Sequence, residues 1–155
     1  MKVSKEKNLI INVFLKTKKY RISKRRICTL ARKVLNCLDV IDAELSICLV
    51  CNNYIRKLNK RYKNRNTFTD VLAFPFEIKK KFKSVKRIAG EIIISLDQTK
   101  INSKYFSNSF NQELLLYVIH GILHIYGYND IRASDRLKME KKQKEIFDKF
   151  VNDNE

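Results

Sequence analysis

The sequence predicts an α+β fold, in which a small mixed four-stranded sheet packs against four to five helices. Three observations predict it. Stretches of alternating β-branched residues and stretches with apolar residues at i, i+3 and i+4 follow one another in mixed order, the pattern of one sheet covered by helices. The chain has 155 residues, near the size of one domain, so residues 1–155 are expected to form a single unit. Hydrophobic residues make up 45% and charged residues 32%, which supports a core and argues against disorder.

The elements follow in order. Leu9 to Phe14 reads as a first strand, and Ser23 to Leu38 as a helix with Ile27, Leu30, Ala31, Val34 and Leu35 on its apolar face. Glu44 to Cys51 is a second strand. Asn52 or Asn53 is expected to cap a short helix over Tyr54 to Tyr62, with Ile55 and Leu58 inward, before a basic loop from Lys63 to Thr67. Val71 to Pro75 is a strand that Pro75 must end or confine to a sheet edge, because proline donates no ladder hydrogen bond. Lys79 to Arg87 is a basic connection, and Ala89 to Ser95, with three isoleucines in a row, is a strong strand. Asp97 to Phe106 reads as a short helix. Ser109 and Gln112 form a capping box ahead of the apolar run Leu114 to Leu123. A last helix runs from Ser134 to Phe150, with Leu137, Ile146, Phe147 and Phe150 expected to be buried.

Thirty-three Lys and Arg against sixteen Asp and Glu leave a formal charge of +17. Folding gains nothing from that self-repulsion, and a polyanion relieves it, so nucleic acid is the expected partner. The basic residues are spread along the chain rather than gathered on one amphipathic helix, which disfavours a membrane surface. The apolar run Asn8 to Leu15 is too short for a signal core or a span, and the chain is expected in the cytoplasm. Four cysteines (Cys28, Cys37, Cys48, Cys51) are too few for a disulfide framework. Cys48 and Cys51 have half-ribbon spacing, but on a strand they face opposite sides and make no metal site.

The chemistry concentrates in HGILHIYGYND. His120 and His124, the only two histidines, are four apart in a helical segment, so their rings leave one face about one turn apart. Gly127 can end that helix and turn the chain so that Asp130 reaches the same point. The spacing H-x3-H-x2-G-x2-D is a three-ligand frame for one divalent ion, with zinc favoured and nickel, manganese or iron as alternatives; no organic cofactor is expected. This is a metalloprotease-like metal-binding helix. In the related H-E-x-x-H peptidase pattern a glutamate follows the first histidine as general base, whereas Gly121 stands there in this chain, which makes a metallopeptidase the lesser reading.

At HGILHIYGYND, and again at LNKRYKNRNTFTDVLAFPFE, the sequence resembles the YbeY family of bacterial rRNA maturation endoribonucleases. The family pattern H-G-x-L-H-x-x-G-Y-D-H is met at His120, Gly121, Leu123, His124, Gly127 and Tyr128. Its upstream pattern is met at Leu58, Asn59, Tyr62, Thr69, Asp70, Val71, Leu72, Phe74 and Pro75, and Gly90 to Ser95 is similar to its G-D-I-x-I-S strand. With Met139, Glu145 and Ile146 in the last helix, the resemblance spans nearly the whole domain.

The resemblance implies a metal-dependent, single-strand-specific endoribonuclease in ribosomal RNA processing and ribosome quality control. It would act at the 3′ end of the small-subunit RNA, with ribosomal RNA and the small subunit as partners. Two positions depart from the family. Its third histidine falls on Asp130, which makes the ligand set two imidazoles and a carboxylate, and its functional arginine falls on Lys63. Lysine keeps a charge for phosphate but lacks the bidentate fork. The resemblance thus places His120, His124 and Lys63 in catalysis, and the neighbouring charges of Arg61 and Arg65 are expected to hold the RNA backbone beside Lys63. Tyr62, Phe68 and Phe76 are candidates to stack on unpaired bases, although burial in core or loop packing is the readier expectation for each. A non-catalytic ribosome-associated module that binds RNA through its charge alone is a further alternative.

Overall fold

The computed structural model describes residues 6–76 and 87–153. Its order is β1 (Asn8–Leu15), α1 (Lys24–Cys37), β2 (Asp42–Val50), α2 (Asn52–Lys63), β3 (Val71–Pro75), β4 (Arg87–Ser95), α3 (Leu96–Tyr105), α4 (Phe110–Tyr126) and α5 (Ala133–Asp153). The sheet order is β1-β2-β4-β3. β1, β2 and β4 run parallel, and β3 pairs antiparallel with β4, with Val71 opposite Ile94 and Pro75 opposite Gly90. This is the small mixed sheet expected from the sequence, and Pro75 ends an edge strand where its missing N–H costs no ladder bond.

The main core lies on one sheet face. α1 brings Ile27, Ala31, Val34 and Leu35 to it, and α4 brings Leu114, Val118, Ile119, Ile122 and Leu123, against Leu45, Ile47, Ile92 and Ile94 of the strands. On the other face α2 covers a small cluster of Cys48, Val50, Ile55, Leu72 and Ile93. α4 lies close on the sheet because two positions lack a side chain. A Cβ at Gly121 of α4 would meet Ile92 Cγ2 of β4 at 2.6 Å, and one at Gly90 of β4 would meet Ile125 Cδ1 of α4 at 2.5 Å. That approach brings the last turns of α4 down beside β3.

Four expectations need correction. Leu137 is 66% exposed, because α5 buries Met139, Ile146 and Phe150, and a residue nine before Ile146 lies about half a turn round the helix from it. Cys51, rather than Asn52 or Asn53, occupies the N-cap of α2, so it stands outside the strand that carries Cys48. Lys63 is the last helical residue of α2 instead of the first loop residue. Tyr62, Phe68 and Phe76 are exposed rather than buried, although Tyr62 lies against Phe74 and Phe68 against Arg56. The connection expected from Lys79 lies outside the described residues up to Arg87, which opens β4.

Candidate metal centre

α4 is built to present its C-terminal end. The Ser109 hydroxyl accepts from Gln112 N–H while the Gln112 side chain accepts from Ser109 N–H, the capping box that fixes where the helix begins. Its other end stops at Gly127, whose φ of +122° suits glycine and whose N–H donates to the carbonyls of Leu123 and His124. Tyr128 N–H also donates to Leu123 O, so the chain folds back and returns Asp130 toward the helix.

The three predicted ligands meet there. The rings of His120 and His124 stand 4.7 Å apart at 79°, with their Nε2 atoms 3.1 Å from each other. Asp130 Oδ2 lies 3.8 Å from His124 Nε2, and one donor atom from each residue falls within 4.8 Å of the others. Two nitrogens each about 2.0–2.1 Å from a tetrahedral ion stand roughly 3.3 Å apart, so the observed pair fits a shared ion with little movement. Among the described residues this is the one cluster of His, Cys, Asp or Glu able to hold a metal, and no cysteine belongs to it. Cys48 is buried with its thiol pushed up to about 11, by burial first and then by Glu91, so it remains a protonated core residue.

Each imidazole has an orienting partner on its far side. His120 Nδ1 lies 2.9 Å from Gln143 Oε1 on α5, and His124 has a backbone hydrogen bond at Tyr128. Burial lowers the His124 pKa below its usual value, and nearby His120 pushes it the same way, against the opposing pull of Asp130. His124 is thereby held neutral at neutral pH, the form that ligates a metal. The side chain of Asp130 is 49% exposed and that of His124 is 26% exposed, so the cluster opens to solvent on the carboxylate side.

That opening is a cavity of about 530 Å³, into which Lys63, Arg65, Phe68, His124, Asp130 and Ile131 project with the edge strand behind them. The loop after α2 is shaped by Asn64, which adopts the left-handed conformation at φ 53°, and by buried Asn59. The Asn59 amide donates to Thr67 O and lies 3.3 Å from Thr67 Oγ1, while Arg65 N–H donates to Asn59 O. Phe68 lies under the Arg56 guanidinium, 5.7 Å from its ring centre. Lys63, Arg65 and Phe68 therefore share the cavity with His124 and Asp130. Arg61, Tyr62 and Phe76 are not among its lining residues, and Tyr62 packs edge-on against Phe74. The position after His120, where a peptidase would carry its glutamate, is Gly121, packed against Ile92 with no room for a side chain.

Sequence reasoning overlooked Asn59 as the anchor of the loop and Gln143 as the partner of His120. Gln143 did leave a signal. It lies on the stripe Met139, Ile146, Phe150 of α5, a polar residue within an otherwise buried apolar row.

A family model described as Endoribonuclease YbeY matches residues 12–151. A protein described as endoribonuclease YbeY from Sulfurihydrogenibium sp. is 34% identical over 153 residues, covering 97% of this chain and 98% of its own. One of the same description from Neorickettsia sennetsu is 37% identical over 123 residues, covering 79% and 84%. Another, from Bacillus subtilis, is 33% identical over 115 residues, covering 70% and 73%. The solution structure of a Thermotoga maritima protein superposes with a TM-score of 0.60 at 27% identity, covering 89% of this chain and 87% of that one.

Proposed function

The chain belongs to the endoribonuclease YbeY family, and from that premise we propose that it is a metal-dependent endoribonuclease that cuts single-stranded ribosomal RNA, including the 3′ end of the small-subunit RNA. The ion is held by His120, His124 and Asp130. Two imidazoles and a carboxylate would favour zinc. When bound, the ion supplies Lewis acidity for phosphodiester hydrolysis.

The chain's own residues do the rest. His120 and His124 offer their ring nitrogens to the ion, and Asp130 contributes the one negative charge of the ligand set. Lys63 binds a phosphate oxygen beside the scissile bond, and Arg65 binds a neighbouring phosphate; their charge gathers the strand and sets its register. Phe68, held from behind by Arg56, stacks on an unpaired base. A duplex keeps its bases within its own stack, which accounts for the single-strand preference.

One observation carries the reading: three metal-ligand atoms lie within 4.8 Å of one another, and two of their residues, His124 and Asp130, line a cavity that Lys63 and Arg65 share. Residues 1–155 act as one domain, in the cytoplasm, on the small ribosomal subunit. No helix among the described residues is long and apolar enough to cross a membrane.

The test is cleavage of single-stranded rRNA fragments by wild-type protein and by His124→Ala, with elemental analysis of both. Wild type is expected to carry one equivalent of metal and to cut, and His124→Ala to do neither. Equal activity in the two proteins would sink the proposal. RNA affinity with a steep salt slope but no metal-dependent turnover would favour the non-catalytic module instead.

A further inference from the structure

α5 does more than close the core. Its buried stripe is Met139, Ile146 and Phe150, and one turn after Met139 the same stripe carries Gln143. The neighbouring polar residues of α5 pair with one another at the surface, Lys142 with Glu145 and Lys144 with Asp148. Gln143 instead turns inward, and its Oε1 lies 2.9 Å from His120 Nδ1.

This contact decides which nitrogen of His120 is free. A neutral imidazole carries one proton, and the nitrogen that holds it has no lone pair to give. An amide oxygen accepts and cannot donate, so facing Nδ1 it requires the proton there and leaves Nε2 bare. Nε2 is the atom that points at His124 Nε2, 3.1 Å away, inside the ligand cluster. The same bond ties the ring of His120 on α4 to a second helix, which limits rotation about its side-chain torsions. Gln143 is also neutral. A carboxylate in its place would make the imidazole more basic and add a second negative charge to a set that already contains Asp130.

We propose that Gln143 is a positioning residue that fixes His120 in the Nδ1–H tautomer and sets the affinity of the site for its ion. The tautomer assignment concerns the metal-free protein, whereas the effect on affinity rests on the reading that His120 is a ligand.

The experiment uses the full chain and its Gln143→Met and Gln143→Glu variants. Methionine keeps the volume and removes the acceptor; glutamate keeps the acceptor and adds charge. With only two histidines in the sequence, the ring nitrogens are readily assigned by NMR. In metal-free wild type at neutral pH, His120 is expected as the Nδ1–H tautomer, with Gln143→Met shifted toward Nε2–H and Gln143→Glu retaining Nδ1–H. Zinc affinity, measured by competition with a chelator, is expected to fall about 10–100-fold in Gln143→Met and to be kept or raised in Gln143→Glu. An unchanged tautomer in Gln143→Met overturns the proposal, as does a zinc affinity of Gln143→Met equal to that of a zinc-binding wild type. If wild type binds no zinc, the metal reading fails, while the tautomer comparison still decides the role of Gln143.

Discussion

At its N-terminal end α4 gives its buried polar side chains, Glu113 and Tyr117, hydrogen-bond partners, whereas at its C-terminal end it turns like groups toward one another. Near the start, buried Glu113 accepts from the Asn108 amide, and the Tyr117 hydroxyl accepts from the Asn102 amide at 2.6 Å. Burial, the largest influence, pushes the Tyr117 hydroxyl far up, so it stays protonated. Three residues on, His120 and His124 face each other through Nε2 atoms, with Asp130 partly open to water. The first network is closed and the second is left incomplete. One helix thus uses the same residue chemistry to hold the fold at one end and to keep lone pairs available at the other.

Breaking the incomplete end should affect activity and spare stability. His120→Ala is expected to remove bound metal and to lower RNA cleavage by more than about 100-fold, beyond the loss expected for an orienting partner. The melting temperature of the metal-free protein should change little, since His120 contributes no large apolar surface to the core. Metal analysis, turnover and thermal unfolding of the same preparations check this. A large loss of metal-free stability would show that the two ends do not divide their roles.

A smaller loss is expected at the cavity wall. Lys63→Ala removes a charge-assisted contact worth roughly 1.5–3 kcal/mol, a fall of about 10–100-fold in kcat/KM with metal content unchanged. Lys63→Arg, with its bidentate fork, should match or exceed wild type. If Lys63→Ala cleaves as wild type does, the phosphate contact belongs to Arg65 alone.

The closed end should show the converse. Glu113→Ala leaves the half-buried amide of Asn108 without its acceptor and is expected to destabilise the protein by about 1–3 kcal/mol in urea unfolding. Metal stoichiometry and turnover per folded molecule should be retained. A loss of metal in the folded variant would couple the two ends.

What the sequence made legible follows the same division. The strands, the capping box at Ser109 and the helix stop at Gly127 depend on residues a few positions apart, and periodicity and spacing report such local rules. His120, His124 and Asp130 lie within eleven residues, so their convergence could be read from helix geometry. Gln143 and Asn59 could not be read so directly, since Gln143 lies 23 positions from His120 on another helix and Asn59 acts on a loop whose path it helps to set. Leu137 misled because hydrophobicity alone does not set the phase of a helix; Met139 and Ile146, seven apart, define the buried side of α5.

The smallest expected effect sharpens the contrast from the stable end. Tyr20 stacks on Phe110 in the first turn of α4 and donates its hydroxyl to Asp97, which also accepts from Lys19 and from Asn52 N–H. Burial raises the Asp97 pKa, but these three donors outweigh it and hold the carboxyl at about 2. Because the folded pKa lies below the unfolded value near 4, the ionised group stabilises the fold above about pH 4, and this contribution drains away as pH falls toward 2. Lys19 is mostly exposed, so solvent screening reduces the contribution to about 1 kcal/mol. Asp97→Asn should therefore lose less stability than wild type between about pH 5 and about pH 2.5, by roughly that amount in urea unfolding. Equal losses would mean that the Asp97 cluster contributes no acid-sensitive stability. A larger loss in the variant would reverse the assigned sign.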